Sequence, residues 1–323
     1  MPKNLKKKHA RKGRPAGRKL KLLVRPRGAP EDPRWRDREH RRHVVRRLLV
    51  EQPGASCTDL LNAAGAPEEA RKAFRLARAR HGPLGSLAAL AARVNSCVRV
   101  VVLLGAGASV AAGIPCFRGA PPAREAWLRQ AYSCDGFRRS PGDLWSLLPQ
   151  LRGAQPTPLH LLLGRLAQCG RLSLAATQNV DGLELLVLPP ALVAQVHGSA
   201  RSFRCALCGT CCEPPPVSCR LAPRCPQPSC AGRVRPDIVF RGEPVPPAEL
   251  ARARAAVRNA DLVLVVGTSL AVDPFARLWQ LARTATRYCV NVEPMGYASD
   301  GEGQYVGDCQ SFAEALSPLI HPI

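Results

Sequence analysis

The chain has 323 residues, 46% of them hydrophobic, and a formal net charge of +23. This size and apolar fraction support one large domain or two small ones with a substantial core, which excludes a wholly disordered chain. No uncharged apolar run reaches the roughly 18 residues that a membrane span needs, and no apolar segment follows the basic start. We therefore expect neither a membrane protein nor a secretory signal.

The first 50 residues hold 19 of the 47 lysines and arginines but only four acidic residues. We predict a basic disordered tail over residues 1–35. Two interpretations are open: a solvated, inert extension, or a segment that directs the protein to the nucleus and contacts nucleic-acid phosphates. A mitochondrial location is the alternative to a nuclear one. Transit peptides are rich in serine, however, and this segment contains neither serine nor threonine, so a nuclear location is preferred.

Residues 36–95 combine arginine with leucine, valine and alanine at helical spacing. The pattern predicts a helical amino-terminal extension with helices at 41–49 and 68–80. From residue 96 onward, strand and helix patterns alternate, with a helix predicted at 159–168. Buried strands are predicted at 98–104, 172–176, 261–266 and 287–292. This alternation predicts an α/β fold over residues 96–323, built on a Rossmann-type doubly wound parallel sheet.

The first predicted strand ends in a glycine-rich turn, Gly105-Ala-Gly-Ala-Ser109. Small residues there let backbone amides approach a pyrophosphate, although the spacing differs from the usual Gly-x-Gly-x-x-Gly. Other polar blocks, at 177–182 and 267–274, also follow predicted strands. The carboxyl ends of parallel strands are where open α/β sheets bind ligands, so these blocks indicate a dinucleotide site.

Fourteen cysteines in a chain without a predicted secretory signal indicate reduced thiols and metal rather than disulfides. A Cys-x2-Cys pair and a Cys-x4-Cys pair are the predicted ligands of one Zn²⁺: Cys205 with Cys208, and Cys225 with Cys230. They lie in a short segment, about 200–235, which is too small to fold by apolar burial alone and is predicted to be an inserted zinc-binding module. Three nearby cysteines remain alternative ligands: Cys211, Cys212 and Cys219.

Five blocks in order resemble the sirtuins, the NAD-dependent protein deacylases. They are the turn from Gly105 continued through Gly113-Ile-Pro-Cys-Phe-Arg118, the blocks at 177–182, 236–243 and 267–274, and the pair His197-Gly198. The resemblance covers about residues 95–320, and the Cys-x4-Cys spacing is similar to class III members. It implies a protein-lysine deacylase, NAD as cofactor, a structural zinc ion and acyl-lysine proteins, with histones as candidates, as substrates.

The resemblance also implies roles for individual residues. His197 corresponds to the catalytic base, and Asn179 and Asp181 to the pair beside the nicotinamide and its ribose. The implied NAD contacts are Gly105, Ala106, Gly107, Ser109, Ile114, Phe117, Arg118, Gln178, Asn179, Asp181, Gly267, Thr268, Ser269, Asn291 and Cys309. The loop that grips the acyl-lysine stem corresponds to Val239, Phe240, Gly242 and Glu243.

Three positions depart from the sirtuin pattern: Cys116 replaces an aspartate, Glu184 a histidine and Arg241 a phenylalanine. The tyrosine with which class III members help receive a succinyl carboxylate is missing from residues 120–127. A deacetylase is therefore expected rather than a desuccinylase. Two alternatives stay open: a degenerate member that binds NAD or ADP-ribose and nucleic acid without turnover, and a mono-ADP-ribosyltransferase. The sequence does not predict the oligomeric state.

Overall fold

The structure is a computed structural model that describes residues 86–114, 121–216, 218–219, 221–293, 295 and 303–323. The basic tail and the helices predicted at 41–49 and 68–80 lie outside these residues. So do Cys116, Phe117 and Arg118. Within the described ranges, no helix is both long enough and apolar enough to cross a membrane.

The strands of the described residues are β1 (Val100–Leu104), β2 (Leu172–Thr177), β3 (Val193–Gln195), β4 (Gly198–Cys205), β5 (Cys211–Cys212), β6 (Val234–Ile238), β7 (Leu262–Val266), β8 (Thr286–Asn291) and β9 (Gln304–Val306). The α-helices there are α1 (Leu87–Ser96), α2 (Pro122–Ala131), α3 (Cys134–Arg139), α4 (Pro141–Gly153), α5 (Pro158–Gln168), α6 (Pro247–Arg258) and α7 (Cys309–Leu316). The four predicted strands correspond to β1, β2, β7 and β8, and the predicted helix to α5.

Six strands form one sheet in the order β3-β2-β1-β7-β8-β9, and every neighbouring pair is parallel. The chain builds outward from β1 to β3 and then returns to the other side of β1 with β7. The strand order therefore reverses between β1 and β7. In doubly wound sheets this switch point opens a crevice at the carboxyl ends of the two strands. The predicted fold class is confirmed.

Alternate side chains of β1 enter two separate cores. Val102 and Leu104 pack on the face covered by α1, α5 and α7. Val101 and Leu103 pack on the opposite face, against α6 and the 3₁₀ segment Phe275–Leu281. Burial on both faces explains the continuous β-branched and leucine runs that made these strands readable in the sequence.

Helix α1 belongs to this packed sheet. Ser86 caps its start by accepting the Ala89 N–H at 3.2 Å, and Leu90 and Val94 are fully buried against the sheet. The helix begins inside the segment assigned from the sequence to the amino-terminal extension. Its apolar stripe nevertheless packs on the same sheet face as α5 and α7.

A smaller unit combines the antiparallel sheet β5-β4-β6 with α3 and α4. Its core pairs Trp145 of α4 with Phe203 of β4, with ring centroids 5.8 Å apart, and Phe137 of α3 with Phe240, at 5.3 Å. The sequence predicted the module only from about 200 to 235. The helical half comes from residues that precede α5 and was not predicted.

Candidate active site and metal centre

The turns after β1 and β7 meet backbone to backbone at the switch point. Gly105 N–H donates to Val266 O at 3.0 Å, and Gly107 N–H donates to Gly267 O at 2.9 Å. A Cβ on Gly107 would lie 2.7 Å from the Gly267 Cα, and Gly267 itself has a φ of +63°. Side chains are therefore excluded from this floor, which is the property that a pyrophosphate cradle requires.

The turn after β2 is fastened to both of these turns by side-chain amides. Asn179 is buried, and its Nδ2 donates to Gly105 O at 3.0 Å and to the Ser109 hydroxyl at 3.3 Å. Gln178 Nε2 donates to the Thr268 hydroxyl at 2.8 Å. Three blocks that are far apart in sequence thus form one polar surface, as the carboxyl ends of neighbouring parallel strands must.

Of the remaining predicted NAD contacts that the structure describes, four lie around this surface. Cys309, the first residue of α7, has its Sγ 3.4 Å from Gly107 O, and Asn291 ends β8. Ala106 begins the 3₁₀ segment that follows β1, and Ser269 follows Thr268 directly. Ile114 instead packs against the aromatic core of the smaller unit, at the boundary between the sheet and that unit.

His197 lies between β3 and β4, next to the turn after β2. Its Nδ1 is 3.1 Å from Gln178 O, and because a carbonyl oxygen only accepts, Nδ1 carries the proton and Nε2 the lone pair. Burial lowers the pKa of His197, and the hydrogen bond to Gln178 opposes this shift. The residue is therefore a neutral imidazole at neutral pH with a proton-accepting Nε2, as a general base must be.

Asp181 is buried at 2% exposure beside two residues that the sequence analysis did not place in the site. Its Oδ1 accepts the Leu183 N–H at 3.0 Å. Ligand atoms of His160, Asp181 and Glu184 all lie within 4.8 Å of one another. The sequence marked Glu184 only as a departure from the sirtuin pattern, and His160 carried no signal because it lies among the apolar residues of a helix.

The loop predicted to hold acyl-lysine is braced by its own side chains. The buried ring of Phe240 packs against Phe137, and the Arg235 guanidinium carbon lies 4.0 Å from the Phe240 ring centroid. Glu243 pairs with Arg235 at 2.6 Å and accepts the Phe240 N–H at 2.9 Å. The side chains of Phe240 and Glu243 therefore hold the loop in its conformation. Val239 is half-buried and Gly242 is exposed.

The same loop is anchored to both the histidine and the helical half of the smaller unit. Val239 N–H donates to His197 O at 2.9 Å, and Arg241 N–H donates to Tyr132 O at 2.8 Å. Any extended peptide that follows this loop would consequently run past His197.

The four predicted zinc ligands form one cluster. Sγ atoms lie 3.6 Å apart in the pair Cys205 and Cys230 and in the pair Cys208 and Cys225. A tetrahedron with Zn–S bonds of about 2.3 Å requires sulfur separations of about 3.8 Å, so the donor set fits Zn²⁺. Gly232 is needed here, because a Cβ on it would lie 2.5 Å from the Cys205 sulfur.

The three alternative cysteines lie outside that cluster. Cys212 Sγ is directed to Thr210 O at 3.3 Å, and Cys219 Sγ to Leu221 O at 3.1 Å. Cys211 is exposed on the short strand β5. Because the predicted quartet supplies four thiolates, a Zn²⁺ ion held there would have a complete coordination shell with no position for a substrate. Its role would therefore be structural.

A doubly wound sheet with a side-chain-free cradle at its switch point and a four-cysteine module beside it defines a dinucleotide-binding α/β protein. The Sir2 family model matches residues 105–274. An NAD-dependent protein deacylase of Aeropyrum pernix is 35% identical over 224 residues, which cover 67% of this chain and 90% of the relative. The chain belongs to the Sir2 family.

Solved structures agree with this assignment. A Sir2 homologue in complex with NAD matches with a TM-score of 0.63 and 28% identity over 71% of this chain and 91% of its own. Sir2Tm bound to a propionylated peptide matches with a TM-score of 0.61 and 26% identity, covering 71% and 96% of the two chains.

Proposed function

We infer that the protein is an NAD-dependent protein-lysine deacylase. The observation that carries this inference is the placement of His197: its neutral imidazole is hydrogen-bonded to the turn that closes the dinucleotide cradle, and its backbone carbonyl accepts the N–H of Val239 in the loop expected to hold acyl-lysine. Deacylation needs a base at such a junction, because the acyl group moves from a peptide lysine to a ribose. The degenerate, non-catalytic alternative is disfavoured by the intact histidine and amide network.

Each part of the proposed reaction is assigned to particular residues of the chain. NAD, when bound, supplies a ribose carbon that becomes reactive as nicotinamide departs. His197 accepts a ribose hydroxyl proton at Nε2, and Nδ1 stays fixed on Gln178 O. Asn179 keeps the Gly105 turn in place, and the loop at Val239 presents the peptide. The four-cysteine zinc site stabilises the smaller unit that carries this loop.

The test is incubation of the purified chain with NAD and a panel of acylated histone-tail peptides, followed by mass spectrometry. We expect deacylated peptide, nicotinamide and acyl-ADP-ribose in equal amounts. ADP-ribose attached to protein without deacylation would instead support the transferase alternative. NAD binding without any product would support the binding-protein alternative.

We propose acetyl-lysine as the preferred acyl-lysine, with histones as candidate protein substrates. The support is the lack of tyrosine in residues 120–127, which removes one of the two groups with which class III relatives receive a succinyl carboxylate. Comparing kcat/KM for acetyl, propionyl and succinyl versions of one peptide tests this preference. The exposed Arg241 makes flanking acidic residues the competing determinant, so the peptide series also includes acidic and neutral flanks.

We propose further that the basic tail directs the protein to the nucleus and binds nucleic acid without sequence preference. Its dense basic runs at 6–21 can neutralise roughly five to eight phosphates, and each contributes a log–log salt slope of about −0.9. Truncation near residue 50 should abolish salt-sensitive DNA binding and nuclear accumulation, yet leave deacylation of a short peptide intact. Unchanged DNA affinity and localisation after truncation would show that the tail is an inert extension. Mitochondrial import would show that the predicted nuclear location is wrong.

A further inference from the structure

Three buried polar side chains and one partly buried arginine meet at the turn that follows β2. His160 comes from α5, Asp181 and Glu184 from the turn, and Arg201 from β4. His160 and Glu184 have no exposed surface, and Asp181 has 2%. His160 Nε2, both carboxyl oxygens of Glu184 and Arg201 Nη2 meet no hydrogen-bond partner among the described residues. Buried polar atoms without hydrogen-bond partners destabilise a folded protein, so this cluster requires a physical explanation.

The tautomer of His160 is set from the other side of its ring. Thr157 N–H donates to His160 Nδ1 at 3.2 Å, so Nδ1 holds the lone pair and Nε2 carries the proton. A ring nitrogen of His160 and one carboxyl oxygen each of Asp181 and Glu184 lie within 4.8 Å of one another. Burial lowers the pKa of His160 to about 4, so the ring enters this cluster as a neutral donor.

Two carboxyl groups at this separation, both buried, do not both ionise when the adjacent imidazole is neutral. Burial and the charge of Asp181 raise the pKa of Glu184 to about 7, while the Thr177 hydroxyl and the Arg201 guanidinium oppose the shift. The Asp181 side chain accepts the Leu183 N–H at Oδ1, and Arg201 Nε donates to the backbone carbonyl of Asp181 at 2.7 Å. The raised pKa makes Glu184 the carboxyl group of this cluster that holds a proton near neutral pH.

We propose that Glu184 carries a proton directed at the Asp181 carboxylate, beside the neutral His160 ring, and that both are positioning residues which fix the orientation of Asp181. The proposal rests on the proposed function and on the family resemblance that assigns Asp181 a place beside the nicotinamide. The Leu183 N–H holds Asp181 Oδ1, and the proton on Glu184 supplies a further donor. A divalent cation is the competing occupant of the cluster, but the neighbouring Arg201 guanidinium disfavours a second, larger positive charge.

The decisive substitution is Glu184→Gln, which keeps the shape and a hydrogen-bond donor but cannot ionise. Glu249→Gln is the matched control, because Glu249 pairs with Arg252 on α6 and lies outside the cluster. Thermal unfolding of both variants and of the wild type is measured between pH 5 and pH 8. Groups facing Glu184 that contribute to the background are His160, Asp181, Arg201 and the Thr177 hydroxyl, with Tyr132 beside Asp181.

The sign of the expected effect follows from proton binding. Native Glu184 keeps its proton up to about pH 7, whereas the unfolded chain loses it near 4.5. The wild type and Glu249→Gln should therefore lose stability across this interval, and Glu184→Gln should lose less. Identical pH profiles for Glu184→Gln and the wild type would overturn the proposal. This measurement needs no catalysis, so it stands even if the deacylase assay fails.

Kinetics supply the second readout. The ratio of kcat for Glu184→Gln to kcat for the wild type should rise several-fold between pH 6 and pH 9, because only the wild type ionises beside Asp181. Glu184→Leu, which fills the space without a donor, should lower kcat and nicotinamide exchange by about tenfold with little change in peptide KM, since Asp181 loses a hydrogen bond to a charged group. A pH-independent ratio or a fully active Glu184→Leu would contradict the positioning role.

Metal analysis completes the test. After equilibration with Zn²⁺ or Mn²⁺ and removal of excess, one equivalent of metal per chain, unchanged in Glu184→Gln, supports a proton rather than a cation in the cluster. Two equivalents in the wild type and one in Glu184→Gln would show that the cluster holds a cation, and the proposal would be wrong.

Discussion

In the crevice, the polar groups of three turns satisfy one another: amide side chains bond to carbonyl and hydroxyl groups, and glycine backbones touch. In the smaller unit, four sulfur atoms face one another across 3.6 Å in two pairs, with backbone N–H groups directed at them. The crevice is therefore ordered by the chain alone, whereas the smaller unit needs a metal ion to balance its thiolates. This difference predicts that a change in one region can be detected separately from a change in the other.

The largest expected effect is loss of zinc. Cys225→Ser removes one of four thiolates, and because apparent zinc affinity in small Cys-ligand modules amounts to about 10–16 kcal/mol, the smaller unit should unfold locally and deacylation should be lost. Cys219→Ser is the control within the same module, because its sulfur is directed to Leu221 O. Metal analysis and limited proteolysis should show zinc loss for the first variant alone. Zinc loss in Cys219→Ser with retention in Cys225→Ser would refute the ligand assignment.

Replacing His197, the proposed general base, should lower turnover in the crevice without affecting the zinc-binding unit. His197→Ala removes the proton acceptor without touching the glycine floor, so turnover should fall by about 10²–10⁴-fold while NAD binding and zinc content stay near wild type. His321→Ala, an exposed histidine near the carboxyl end, is the matched control. Initial rates of deacylation and calorimetric NAD titration measure the two properties. Wild-type rates for His197→Ala would remove this residue from the mechanism.

Adding a side chain to the glycine floor of the pyrophosphate cradle should have a smaller effect than replacing His197. Gly107→Ala places a Cβ 2.7 Å from the Gly267 Cα, so the β1 and β7 turns must separate, at a cost of about 1–3 kcal/mol in stability. NAD affinity should fall with it. Gly142→Ala on α4 is the control, since a Cβ there meets no heavy atom within 4 Å. Chemical denaturation and NAD titration should separate the two variants, and equal behaviour would mean that the floor is not closely packed.

The main-sheet strands and the zinc ligands could be predicted from the sequence, whereas the helices of the smaller unit could not. β1, β2, β7 and β8 were readable because strands buried on both faces need unbroken apolar runs, and the zinc ligands because their spacing is local. The smaller unit's helices, α3 and α4, were not predicted, since they mix polar with apolar residues and lie outside the cysteine-rich segment. The short strands β3 and β9 are recognisable only by their pairing in the sheet.

Contacts made at long range limited the prediction of the site. His160 and Glu184 are separated by most of α5 and by β2, and only the packing of α5 against the turn after β2 brings them to Asp181. Phe240 and Glu243 were assigned to the substrate through the family pattern, yet their side chains hold the loop together through Arg235. A motif identifies residues that belong together, but packing decides which of their atoms face a ligand.

The smallest expected effect concerns the cap of α7, which carries Cys309 to the edge of the crevice. Asp308 accepts the Ser311 N–H at 2.9 Å, and this hydrogen bond lowers the pKa of Asp308 from its usual value. Asp308→Ala should cost about 1 kcal/mol of stability and Asp308→Asn much less, because asparagine is also a good helix cap. Since the native pKa is depressed, the wild-type advantage over Asp308→Asn should be present above about pH 4 and disappear as the pH falls below it. Denaturation at pH 3 and pH 7 measures this, and because the crevice is fastened by other turns, NAD affinity should hardly change. A large loss of NAD affinity in Asp308→Ala would mean instead that the crevice depends on α7 for its order, and the contrast with the zinc module would be weaker than the hydrogen bonds indicate.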